Sequence, residues 1–192
     1  MKDHPPAAAI VIGASVGAID ALMRVLPLLP VDFGNAVLVV VHLPPDRASA
    51  LPRLFADRCR LAVKEAEDKG CIERGVIYFA PPDYHLLVEP DFHFALSSED
   101  PVNYSRPAID PLFESAADAW GGALTGVVLT GASADGAAGL RSVCRAGGRA
   151  LVQHPDFAEC PVMPEAALAA CPQASLMTLE EIAAALLEPR PA

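Results

Sequence analysis

The stretch Ala9-Ile10-Val11-Ile12-Gly13-Ala14-Ser15-Val16-Gly17-Ala18 decides how this chain is read. A short apolar run ends in Gly-x-Ser-x-Gly, and an apolar-periodic segment follows through Ile19, Leu22, Met23 and Leu26. That order predicts a buried strand, a tight turn and a helix. Glycine at the turn permits backbone dihedrals that a Cβ forbids. A serine there presents its hydroxyl at the carboxyl end of a sheet, beside backbone N–H groups at a helix N-terminus. A nucleophile and its oxyanion hole need these parts, with Gly13, Ala14, Val16 and Gly17 supplying the backbone. Turns of this kind also bind phosphate, so the stretch alone leaves both readings open.

Further along, Ala36-Val37-Leu38-Val39-Val40-Val41 is an uninterrupted apolar run that ends at His42. Such a run suits a parallel strand buried on both faces. The segment 124–130 reads the same way. It is followed by Gly131-Ala132-Ser133-Ala134-Asp135-Gly136 and a helix carrying Leu140, Val143 and Cys144, an echo of the first strand–turn–helix unit. Helical patterns cover 46–59, 107–120, 163–170 and 179–187, and short strands are expected at 61–63, 149–153 and 175–177. This alternation predicts an α/β fold with a doubly wound, mostly parallel, Rossmann-like sheet. Residues 76–80, Pro81-Pro82-Asp83 and 84–88 read as a hairpin, with 92–96 as a further strand. The expectation is a β-hairpin or meander inserted at one sheet edge. The 192 residues read as one domain, with 1–7 and 189–192 as flexible tails.

Ser15, His42 and Asp135 each fall at or just after the carboxyl end of a predicted parallel strand. That edge carries the site in open α/β sheets, where the strand order reverses. If the first strand lies between the second and the 124–130 strand, the three side chains converge. A serine hydroxyl needs an adjacent base, an imidazole can take and return the proton, and a carboxylate can hold the imidazole tautomer. Plainer roles compete: His42 as a structural strand-end residue, and Asp135 as a helix N-cap. Ser133 is a rival nucleophile that lacks a glycine two residues on. A dinucleotide-binding reading also competes, but it wants an acidic residue where His42 stands. His85 and His93, with Asp83 and Asp91, match no strong metal-ligand spacing. No metal or cofactor is expected.

The net charge of -10, from 24 acidic and 14 basic residues, argues against nucleic acid and anionic membrane as partners. No apolar run is long enough to span a bilayer, and the N-terminus lacks a secretory h-region. Five scattered cysteines without a C-x-x-C pair read as reduced thiols in a cytosol.

Longer motifs add a resemblance. They are Ile12-Gly13-Ala14-Ser15-x-Gly17, Val41-His42-Leu43-Pro44-Pro45 and Val76-Ile77-Tyr78-Phe79-Ala80-Pro81-Pro82-Asp83-Tyr84-His85-Leu86. After these come Arg106-Pro107-Ala108-Ile109-Asp110-Pro111-Leu112-Phe113-Glu114-Ser115-Ala116-Ala117, Leu129-Thr130-Gly131-x-x-x-Asp135-Gly136-Ala137-x-Gly139-Leu140, Ala146-Gly147-Gly148 and Met163-Pro164. In this order, over nearly the whole chain, the sequence resembles the catalytic domain of the bacterial chemotaxis protein-glutamate methylesterases, the CheB family. The resemblance implies a cytoplasmic serine hydrolase with a Ser–His–Asp triad on Ser15, His42 and Asp135. It implies hydrolysis of glutamyl methyl esters on the cytoplasmic signalling helices of methyl-accepting chemoreceptors, and glutamine deamidation in some members. Arg106 is a candidate for guiding an acidic receptor helix, with a structural ion pair as the alternative. Val16 and Ala132 depart from the family pattern, the latter where a methionine would line the pocket, and Gln153-His154 stands for a usual Gln-Asp. No receiver domain is expected in this chain, so a separate regulatory protein would take its place. A receptor-binding module without turnover is the alternative function.

Overall fold

In the computed structural model, residues 6–42 and 50–188 are described. The seven-stranded sheet is built from β1 (Ala9–Ala14), β2 (Ala36–Val41), β3 (Ala62–Glu65), β4 (Val76–Phe79), β7 (Leu124–Val128), β8 (Arg149–Gln153) and β9 (Ser175–Met177). Its order is β3-β4-β2-β1-β7-β8-β9, and every neighbouring pair is parallel. The order reverses at β1, which lies between β2 and β7 as the sequence reading required. The helices are α1 (Ala18–Val25), α2 (Leu51–Ala56), α3 (Ile109–Trp120), α4 (Ala137–Arg145), α5 (Val162–Ala170) and α6 (Leu179–Leu187).

The central strands β1 and β2 are apolar at every position, and Thr125 is the one polar residue of β7, because helices cover both faces. Ile10 and Ile12 of β1, with Val37, Val39 and Val41 of β2, face α1, α2 and α6 through Leu22, Phe55 and Ile182. Ala9 and Val11, with Leu38 and Val40, face the other layer through Ile109, Phe113, Leu140 and Met163. The two-residue period of the strands thus sorts the core into two halves.

Four expectations need correction. Strand 76–79 is not an arm of a hairpin. All four residues are buried, and β4 lies inside the sheet between β3 and β2. The hairpin is formed one strand later, by β5 (His85–Val88) and β6 (Phe94–Ser97), antiparallel from His85↔Ser97 to Val88↔Phe94. It is a separate two-stranded sheet that packs on α3, where the Val88 N–H donates to Ser115 Oγ at 3.1 Å. Of the expected tails, 1–5 and 189–192 lie outside the described residues, and Pro6 does not behave as a tail: it is buried, and its carbonyl accepts from Trp120 Nε1 at 2.9 Å. The helix expected over 46–59 is observed only at Leu51–Ala56, and its residues 46–49 lie outside the described residues. Finally, Cys144 and Cys171 are joined in a disulfide, so the cysteines are not all free thiols. Packing of α4 beside α5 brings together two residues separated by 27 positions, a proximity that spacing does not disclose.

Candidate active site

The carboxyl edge of β1, β2 and β7 gathers the candidate residues. Ala14 pairs with Val41 in the β1–β2 register, and the His42 N–H donates to the Ala14 carbonyl at 3.3 Å. Ser15 and His42 therefore leave neighbouring strands side by side. Asp135 arrives from the loop after β7, and its carboxylate Oδ2 lies 2.7 Å from His42 Nε2. A carboxylate only accepts, so Nε2 carries the proton of this bond and Nδ1 is left with its lone pair.

Asp135 is fully buried and saturated with donors. Oδ2 also accepts from the Ile109 N–H at 2.6 Å, and Oδ1 accepts from the Asp110 N–H and Asn103 Nδ2, each at 3.1 Å. The first two are orphan N–H groups at the start of α3, so Asp135 caps a helix that is distant in sequence. Although burial opposes it, the His42 hydrogen bond and these N–H groups hold the carboxyl below its ordinary range.

The capping is reciprocal. Asp110, in the first turn of α3, reaches α4 and accepts from the Gly139 N–H at 2.7 Å. Its other oxygen accepts from Asn103 Nδ2 at 3.2 Å, so one amide bridges the two carboxyl groups. Burial, with the Asp135 charge beside it, pushes the Asp110 carboxyl up to about 6, against the pull of the Gly139 N–H. Asn103 and Tyr104 both have positive φ in a turn closed by two Val102–Ser105 backbone bonds, and that turn carries Asn103 to the carboxylates. Neither Asn103 nor Asp110 is marked for this role in the sequence. An acidic first-turn residue was the one visible signal, and it gave no partner.

The serine turn is braced from β7. The Ser15 N–H donates to the Thr130 carbonyl at 2.9 Å, and Thr130 Oγ1 donates to the Val16 carbonyl at 2.9 Å. Gly17 adopts φ 79°, which lets the chain enter α1 directly. Gly13 and Ala14 belong to β1, and their carbonyls accept from Leu129 and His42. Val16 and Gly17 lie between Ser15 and the first residue of α1, Ala18, whose own N–H donates to the Ser15 carbonyl at 3.0 Å. Gly13 has a packing task instead: a Cβ there would stand 2.4 Å from Ile109 Cγ2. Its absence lets α3 approach β1 closely enough to reach Asp135.

The other candidates are placed apart from this cluster. Arg106 donates to Asp83 Oδ1 at 2.6 Å through Nη2 and to the Ser98 and Glu99 carbonyls through Nη1, so its guanidinium clamps the 83–106 loops. Its side chain is 24 % exposed, and the geometry matches the structural alternative rather than an open guiding charge. Ala132 is exposed, while the buried Met163 packs on Gly131, which abuts the Ser15 Cβ. Ser133 Oγ accepts from the Asp135 N–H at 3.1 Å. His85 and His93 lie at opposite ends of the hairpin and do not meet.

The class defined here is a doubly wound α/β domain with a buried aspartate bonded to a half-buried histidine beside a serine turn at the sheet's switch point. The family model "CheB methylesterase" matches residues 10–186. A Leptospira interrogans protein named as a protein-glutamate methylesterase/protein-glutamine glutaminase is 44% identical over 175 residues, covering 91% of each chain. A Burkholderia lata protein of the same name is 43% identical over 165 residues, covering 83% of this chain and 45% of that one. The crystal structure of the Thermotoga maritima CheB methylesterase catalytic domain superposes with a TM-score of 0.89 at 30% identity, covering 93% of this chain and 96% of that one. The chain belongs to the CheB methylesterase family. Among the described residues, no helix is long and apolar enough to cross a membrane.

Proposed function

We propose that this protein is a serine hydrolase that removes methyl esters from glutamate side chains of chemoreceptor signalling helices, as the names of its relatives suggest. The reading places it in the cytoplasm, with the receptor helix as its partner. The observation that carries it is the 2.7 Å bond between His42 Nε2 and the buried Asp135 carboxylate, at the strand end beside Ser15.

In this reading His42 Nδ1 takes the Ser15 hydroxyl proton as Oγ attacks the ester carbonyl. The imidazolium that forms faces Asp135, which is held ionised by its donors. The tetrahedral oxyanion is met by the Val16 and Gly17 N–H groups at the start of α1, each such donor being worth about 10²–10³ in rate. His42 returns the proton to the departing methoxide, and methanol leaves. Water, activated by the same imidazole, then hydrolyses the acyl-enzyme. Attack on a glutamine side chain would release ammonia by the same steps.

Methanol release from methylated receptor signalling domains tests this, with Ser15→Ala beside the unmodified protein. Release that falls by about 10³ or more in Ser15→Ala, with receptor binding kept, supports the reading. Equal release by both proteins removes Ser15 as nucleophile. Binding without release from either favours a receptor-binding module.

A further inference from the structure

Away from the candidate active site, Cys71 and His93 face each other across a second small ladder. The Lys69 N–H donates to the Phe94 carbonyl, the Phe94 N–H to Gly70 and the Ile72 N–H to Phe92. Residues 69–72 thus run along the hairpin as a third, edge segment, with Cys71 directly opposite His93. Cys71 Sγ lies 3.0 Å from His93 Nε2. His93 Nδ1 lies 3.2 Å from the Asp91 backbone carbonyl. A carbonyl only accepts, so Nδ1 carries the proton of the neutral ring, and Nε2 is the nitrogen that receives the thiol hydrogen.

The Asp91 carboxylate completes the arrangement. Its Oδ1 lies 3.2 Å from Nδ1 and also accepts the His93 backbone N–H at 3.3 Å. An imidazolium formed at His93 therefore has a carboxylate at hand. The turn that presents His93 is fixed by Phe92, which packs on Trp120 with ring centroids 5.2 Å apart. A nucleophile within reach of a base, with the base oriented by a third group, is the geometry of an activated thiol. Nearby, Lys69 pairs with Glu89, Glu73 pairs with Lys64, and Asp68 accepts the Leu96 N–H at 3.0 Å. The Tyr78 hydroxyl is turned to the Cys71 carbonyl and Glu73.

The other cysteines offer a built-in contrast. Cys144 and Cys171 are paired, Cys160 is half-buried, and burial pushes the half-buried Cys59 thiol up to about 11. Of the three free thiols, only Cys71 is exposed.

We propose that Cys71 is a modification site, a thiol activated by His93 for two-electron oxidation by small hydroperoxides. His93 takes the thiol proton as sulfur attacks the terminal peroxide oxygen. The S–O bond forms and the O–O bond breaks. The proton passes to the departing oxygen, so Cys71 becomes a sulfenic acid and the peroxide is reduced to water or an alcohol. None of the residues proposed for ester hydrolysis takes part.

Two reagents on the full chain at pH 7, without reductant, test this. Iodoacetamide labelling is followed cysteine by cysteine by peptide mass spectrometry, and hydrogen peroxide oxidation is trapped with dimedone. Cys71 is expected to alkylate about ten-fold faster than Cys160, and His93→Gln to slow Cys71 by about ten-fold while leaving Cys160 unchanged. Dimedone should mark Cys71 first. A Cys71 rate equal to that of Cys160, or unchanged in His93→Gln, overturns the pairing. Fast alkylation without a dimedone adduct overturns the peroxide assignment. If His93→Gln also speeds the labelling of Cys59, the strand has opened, and His93→Asn is the variant read instead.

Discussion

Asp110 gives the sharpest test of how the site is held together. The residue is 8 % exposed, and its carboxyl is raised to about 6 by burial and by the Asp135 charge. An acid that binds its proton more tightly in the folded than in the unfolded chain stabilises the fold fully below its unfolded value near 4. That contribution is lost as the pH rises through 6. A rise of this size corresponds to roughly 3 kcal/mol at pH values above both. Asp110→Asn has no proton to lose. The stability of the unmodified protein relative to the variant should therefore fall by roughly 2 kcal/mol between pH 4.5 and 7.5, or about 4–8 °C in melting temperature for a domain of this size. The amide also disturbs the Asn103 bridge, which shifts the offset between the two curves. The slope of their difference carries the inference. Asp135 titrates in the opposite sense, its contribution being lost only as the pH drops below 4, and it is common to both proteins. Melts at half-unit steps of pH decide the matter. A difference independent of pH, or one that grows with pH, would refute the reciprocal capping as a buried, charge-opposed pair.

Two further substitutions probe the same assembly. Gly13→Ala puts a methyl 2.4 Å from Ile109 Cγ2, beside a branched carbon with nowhere to retreat, and should cost about 1–3 kcal/mol. It should also lower ester hydrolysis, because Ile109 carries an N–H that holds Asp135; thermal melts and methanol release read the two effects. Asn103→Ala removes a donor from both carboxyl groups. Since Asn103 is exposed and water replaces part of that bond, the expected loss is about three- to ten-fold in kcat, with the melting temperature nearly unchanged.

The sheet is legible because its central strands must be apolar on both faces, as 9–14 and 36–41 are throughout and 124–128 is except at Thr125. The carboxyl ends of those strands follow directly, and Ser15, His42 and Asp135 stand at or just after them in the sequence. The register then supplies what spacing does not: Ala14 opposite Val41, and His42 bonded to Ala14. Strand 76–79 was misassigned for a physical reason. A short apolar run before Pro-Pro-Asp has the pattern of both a hairpin arm and an inner parallel strand, and only its partners β2 and β3 distinguish them.

What stayed hidden depends on contacts between segments far apart in sequence. Asp110 and Asp135 are 25 positions apart, and each supplies an acceptor to the helix that the other introduces. A first-turn aspartate is expected to serve its own helix; here the close approach allowed by Gly13 turns it toward the neighbour. The same logic explains Arg106, whose sequence context leaves a guiding charge and a structural ion pair equally open, and whose guanidinium is taken up by Asp83 and two carbonyls. The glycine that opens the serine turn and the acid that follows the Arg-Pro pair are thus parts of one device. The first clears the space, the second fixes the helix, and the result is a buried carboxylate held in reach of His42. A change at Gly13 should therefore perturb the Asp110 titration even though the two side chains never touch. Repeating the pH-resolved melts in Gly13→Ala tests that link. An unchanged slope between pH 4.5 and 7.5 would mean that α3 keeps its place by contacts other than Ile109.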